Sequence, residues 1–135
     1  MTSPVAARPI RGLHHLALVT ADVPRAEAFY ADLLGLPRLR RQEDEHGVRS
    51  VWLELGCGAF LALERAAAEG TLRVDTAPGL HCLSLGIERA DRLRMKALLE
   101  SAGHAALRET AFTFYVRDPD GVLIGISHYP DTYES

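Results

Sequence analysis

The chain has too few cysteines for a disulfide framework. Cys57 and Cys82 are the two it has, and nothing in their number or spacing forces pairing. A reduced, cytoplasmic setting is therefore the expectation. Long apolar runs are also lacking: no stretch suffices to span a bilayer, and Met1–Arg11, with Pro4, Pro9 and two arginines, has no signal-peptide core. No membrane partner is expected. There is no excess of positive charge either, since the formal net charge is −3 and the pI about 6.0. A phosphate-binding surface needs a basic excess, so nucleic acid is not an expected partner, and the charge is read as solubility.

What is present is an ordinary globular composition, 47% hydrophobic and 24% charged over 135 residues. That length suits one compact domain or two small fused modules sharing a core. The second reading is favoured because the pattern repeats. His15–Val19 is followed by Asp22, a helical stretch and Gly35; Cys82–Ile87 is followed by Asp91, a helical stretch and Gly103. Asp22 is a good N-cap for a helix from Val23 to about Leu34, with Gly35 closing it. In the second half a helix from Ala90 or Asp91 to about Ala102 has Leu93, Met95, Ala97 and Leu98 as its candidate core residues.

The strands read by alternation. Val51, Leu53 and Leu55 share one face and Ser50, Trp52 and Glu54 the other. Leu61 and Leu63 oppose Phe60, Ala62 and Glu64, while Phe112, Phe114 and Val116 oppose Thr113, Tyr115 and Arg117. Shorter strands are expected at Leu36–Glu43 and Ala105–Thr110, and Asp118-Pro119-Asp120-Gly121 is a strong turn signal. The division that follows is a flexible N-terminal arm 1–11, a first β-α-β-β-β module 12–65, a linker 66–79, a second module 80–128 and a C-terminal tail 129–135. The clean apolar faces pack under the helices. The opposite faces then line the concave side of a curved sheet, an apolar wall with a few polar groups, as a small-molecule pocket requires.

The segments Leu13–Leu18, Asp22–Leu36, Val51–Gly56 and Val116–Ile124 together resemble the vicinal oxygen chelate superfamily. That superfamily includes glyoxalases, extradiol dioxygenases, and the fosfomycin- and bleomycin-resistance proteins. The resemblance implies an α+β fold in which two tandem β-α-β-β-β modules form a curved, cup-shaped mixed sheet with helices on its outer face, and it implies a homodimer. Metal-dependent relatives place one ligand on the first and one on the last strand of each module. By that carry-over His15 matches, Ala62 and Gly125 cannot ligate, and Cys82 stands where histidine is usual. His81 shares parity with the core-facing Leu83, Leu85 and Ile87, so it replaces Cys82 only if a bulge intervenes.

The expected function is a glyoxalase/bleomycin-resistance-like small-molecule binding protein with a degenerate metal site, sequestering an aromatic or bulky ligand without a cofactor. Its candidate ligand-binding residues are His15, Trp52, Glu54, Glu64, Cys82, Thr113, Tyr115 and Arg117. Gly125 is read as leaving room in the cup, Arg117 as an anion clamp or a solvated strand end, and Glu54 as a partner of Arg49 or Arg117. The cluster Arg38, Arg40 and Arg41 is read as a solvated rim. The alternative is a divergent lyase, isomerase or dioxygenase using a divalent metal at His15, Cys82 and Glu64, or a Cys82–His15 thiolate pair.

Overall fold

The computed structural model describes residues 9–67 and 76–131. Most of the expected arm, linker and tail lies outside them. Eight strands form two four-stranded mixed sheets, one from each half of the chain. The first contains β1 (His15–Thr20), β2 (Arg38–Asp44), β3 (Gly47–Gly56) and β4 (Ala59–Arg65), in the order β1-β4-β3-β2. The second contains β5 (Leu83–Gly86), β6 (Arg108–Glu109), β7 (Thr113–Arg117) and β8 (Leu123–Ser127), in the order β5-β8-β7-β6. In each, the first strand runs parallel to the last and the rest pair antiparallel. The outer strand β6 keeps two residues of the longer run that alternation suggested.

Alternation decides what is buried. Val51, Leu53, Leu61 and Leu63 from the first sheet, and Phe114, Val116, Ile124 and Ile126 from the second, join Val23, Ala26, Phe29, Tyr30 and Leu99 in one core. Helix α1 (Val23–Glu27) starts on Asp22, whose Oδ1 accepts from the Arg25 N–H at 3.1 Å. It does not run on as a regular helix. Residues Ala28–Leu33 form a π-helical segment, with the Leu34 N–H bonding the Phe29 carbonyl five residues back at 2.9 Å. Phe29, Tyr30 and Ala31 are consecutive and all buried, because this segment lies between its own sheet and the second half. The Phe29 ring centroid is 4.7 Å from that of His104, and the Tyr30 hydroxyl donates to Asp118 at 2.7 Å. Gly35 follows with φ +81°, the left-handed turn a helix end needs.

The second helix corrects the expected core. A 3₁₀ turn, Arg89–Asp91, precedes α2 (Arg92–Ser101). Its buried residues are Arg92 and Leu99, whereas Leu93 is 61% exposed and Leu98 is exposed too. Spacings of seven, three and four residues place Arg92, Met95, Lys96 and Leu99 on one stripe, and a charged residue heads it. Arg92 is tolerated inside because its guanidinium donates to the Thr110 carbonyl at 3.0 Å and meets His128 Nε2 at 2.9 Å and Glu109 at 3.3 Å. The His128 Nδ1 bonds the Asp131 carbonyl, which leaves Nε2 as the acceptor.

The Asp118–Gly121 turn clasps the halves together. Asp118 Oδ1 accepts from the Asp120 and Val122 N–H groups at 2.9 and 2.8 Å, and its other oxygen receives the Tyr30 hydroxyl. Asp120 reaches back to the start of α1, accepting from the Thr20 hydroxyl, the Ala21 N–H at 3.1 Å and Arg25 at 3.4 Å. Burial pushes the Asp118 carboxyl above its ordinary range, and burial with the Asp118 charge pushes the Tyr30 phenol up strongly. Arg38 and Arg41 are exposed, as a rim implies, and in addition they grip the buried Glu27 at 2.6 and 3.0 Å.

Candidate functional site

With the apolar faces buried in the core, the opposite face of each sheet carries the candidate residues. On the first sheet it is an aromatic run. His15 on β1 is exposed, and its ring stacks on Phe60 of β4 with centroids 4.8 Å apart and planes 8° from parallel. Phe60 stacks in turn on Trp52 of β3 at 4.4 Å, and the Arg40 guanidinium of β2 lies 5.1 Å from the centroid of the Trp52 ring. The register explains the run: His15 lies beside Phe60 in the parallel β1/β4 ladder, and Phe60 is diagonal to Trp52 across β4/β3. Phe60 and Arg40 belong to this run although neither was among the candidate residues read from the sequence. The signal was available, because Phe60 shares parity with Ala62, but one strand's alternation does not show which residue of a neighbour lies beside it.

Glu54 lies beside Phe60 in the ladder and is exposed; neither expected partner meets it. Arg49 instead bonds Gln42 at 2.7 Å and Arg117 the Gly121 carbonyl at 3.1 Å, so Arg117 braces the turn and is not a solvated strand end. Glu64 is half-buried beside Ser50, whose buried hydroxyl has no hydrogen-bond partner among the described residues. On the second sheet Thr113 is buried and donates to Ser127 Oγ at 2.8 Å. Tyr115 is half-buried with the Arg108 guanidinium 4.5 Å from its ring centroid. Cys82 is free and half-buried, just before β5, while Ser84 and Gly86, which share its parity, are exposed.

Gly125 does not leave the room expected of it. A Cβ there would come 2.7 Å from Ser84 Oγ and 3.2 Å from Tyr115 Cε1, so the Ser84 side chain and the Tyr115 ring already occupy the space. Ala62, its counterpart, is buried and lies beside Trp52 in the ladder.

These residues do not fit the metal that the resemblance allows. Among the described residues no three His, Cys, Asp or Glu side chains gather to hold an ion, so His15, Cys82 and Glu64 are not assembled within one chain. Among the described residues no hydrogen bond joins Cys82 to His15, whose Nδ1 instead meets His14 Nδ1 at 2.9 Å. What the face offers is flat π surface with guanidinium groups beside it, a surface for stacking and for anion contact.

Comparison with known proteins agrees with this architecture. The model of the Glyoxalase/Bleomycin resistance protein/Dioxygenase superfamily matches residues 12–126. A glyoxalase/dioxygenase from Nostoc punctiforme superposes with a TM-score of 0.75 at 19% identity, covering 97% of each chain. A glyoxylase/bleomycin resistance protein/dioxygenase domain from Frankia sp. EAN1pec gives 0.72 at 24% identity, over 88% of this chain and 98% of that one. A fosfomycin resistance protein from Listeria monocytogenes gives 0.69 at 14%, over 88% and 92%. No protein of curated function matches the sequence. Among the described residues no helix is long and apolar enough to cross a membrane.

Proposed function

The chain belongs to the Glyoxalase/Bleomycin resistance protein/Dioxygenase superfamily, and from that premise we propose that it is a small-molecule binding protein that sequesters an aromatic or bulky ligand without a metal. The observation that carries this reading is the stacked run His15–Phe60–Trp52 on the outward face of the first sheet. Aromatic rings held side by side at a surface recognise other rings at little conformational cost. The ligand residues under this reading are His15, Trp52, Glu54, Glu64, Cys82, Thr113, Tyr115 and Arg117, with Phe60 added; Arg117 contributes by bracing the turn. A homodimer completes the site, supported by the exposure of Ala17 and of Val19, which is 67% accessible, on the same face as His15. The setting is a reducing cytoplasm in which Cys57 and Cys82 stay free.

The test is a screen of aromatic small molecules, read by the fluorescence of Trp52, the single tryptophan, in chelator and again with added divalent metals. The reading expects saturable binding with the same Kd in both. Binding that appears only with metal, or turnover of a bound compound, overturns it in favour of a metal-dependent lyase, isomerase or dioxygenase.

A further inference from the structure

The chemistry of the bound ligand can be narrowed, on the premise of the binding reading above. Each sheet carries a row of side chains in ladder register, and the two rows match. In the first, Arg40 on β2 pairs with Trp52 on β3, Trp52 with Ala62 on β4, and Ala62 with Ala17 on β1. In the second, Arg108 on β6 pairs with Tyr115 on β7, Tyr115 with Gly125 on β8, and Gly125 with Ser84 on β5. Both rows read outer-strand arginine, aromatic ring, then two residues with little or no side chain.

The small residues let the rings lie down on the sheet, as the approach of Tyr115 to Gly125 shows. The arginines combine a ring contact with the lack of an acidic partner. Arg25, Arg38, Arg41, Arg65, Arg92 and Arg94 each meet an Asp or Glu within 3.5 Å. Among the described residues Arg40 and Arg108, like Arg11, have no ion pair and no side-chain hydrogen bond, but each of their guanidinium groups lies against a ring, at 5.1 and 4.5 Å. In a chain with 18 acidic and 15 basic residues, two unneutralised cations at the same place in a duplicated row are a shared feature of the face. A guanidinium held over a ring by cation–π attraction can still offer N–H groups to a planar, bidentate acceptor. Adjacent strands stand about 4.8 Å apart, so from the arginine strand to the end of a row is roughly 14 Å, the span of a fused two-ring system with one substituent.

We propose that these rows bind an aromatic carboxylate, its ring packed against Trp52 or Tyr115 and its carboxylate on the guanidinium edge of Arg40 or Arg108. The test is calorimetric titration of the full chain with 2-naphthoate and with its neutral isostere 2-naphthamide. The expected result is naphthoate bound at least tenfold more tightly. In Arg40→Gln/Arg108→Gln, with circular dichroism unchanged, naphthoate should fall to the affinity of naphthamide while naphthamide keeps its own; Arg40→Lys/Arg108→Lys should retain part of the preference, since the charge stays and the planar fork goes. Equal binding of the two probes to the native chain, or a preference that survives in the Gln variant, overturns the carboxylate proposal and leaves the binding reading standing. Binding of neither probe overturns both. A change in sedimenting mass in the Gln variant, with probe preference unaltered, also overturns it and assigns the arginines to contact with a second copy.

Discussion

Replacing Tyr30 by Phe deletes one oxygen from a fully buried side chain and leaves the ring in place. The lost bond is 2.7 Å long and runs to Asp118, which is 5% exposed. Asp118 keeps its two backbone donors on Oδ1, but its other oxygen loses the hydroxyl. A hydrogen bond to a charged group contributes about 1.5–3 kcal/mol. For a domain of this length that is a drop in Tm of roughly 5–12 °C. The pH dependence carries the mechanism. Burial holds the Asp118 carboxyl above its ordinary value, and the Tyr30 hydroxyl pulls it back down. Without that hydroxyl the folded-state value rises further, so the folded variant holds its proton to higher pH and charging the group costs more. The penalty should therefore be larger at pH 8 than at pH 4, where protonation relieves the orphaned oxygen. Thermal unfolding of both proteins across that range measures it, with Asp118→Asn and the double variant closing a cycle. A penalty under 2 °C at pH 8, or one that does not change with pH, would refute the assignment of this bond as the link between the halves.

Gly125→Ala should cost about 1–3 kcal/mol, from the 2.7 Å and 3.2 Å approaches of its new Cβ; adding Ser84→Ala should recover part of that in urea unfolding, and no recovery would mean that Tyr115 is the obstacle. Arg92→Met should cost about 3 kcal/mol, because the Thr110 carbonyl and His128 Nε2 lose their donor in the interior; a loss below 1 kcal/mol in the same assay would contradict this. Arg65 and the His46 N–H hold the Asp44 carboxyl down at about 2. Since that folded value is depressed, the link stabilises above pH 4 and is lost as pH falls towards 2, so the stability curves of the native chain and Arg65→Met should converge over that interval and separate above it.

Alternation along single strands was enough to separate buried from open faces: Val51, Leu53, Phe114 and Ile124 are inside as their spacing implies, and Asp22 caps the first helix. What it missed depends on neighbours. The inward stripe of α2 is headed by Arg92, which a count of apolar residues passes over because its carbonyl partners lie some 20 residues away. The role of Glu27, held by Arg38 and Arg41, is invisible for the same reason, since a carboxylate on a helix looks solvated until the strand arginines are placed beside it. Arg40, Phe60 and Arg108 became candidates only when the ladder register set each next to a ring. Gly125 reads in sequence as an empty position, and only the placement of Ser84 and Tyr115 beside it shows that it is filled.

The reach of Asp120 to Thr20 spans 100 residues, and this has a consequence for how the chain is made. At ordinary synthesis rates the first helix leaves the ribosome about 5–20 s before the turn that clasps it. Throughout that interval Tyr30 has no acceptor and Phe29 has no His104 to lie against, so the nascent first half presents an unfinished apolar flank. Closing so long a loop gains nothing until the last strands pair. The newborn chain therefore depends on the last third of its own sequence, or on a chaperone in the meantime, to cover what its first third exposes.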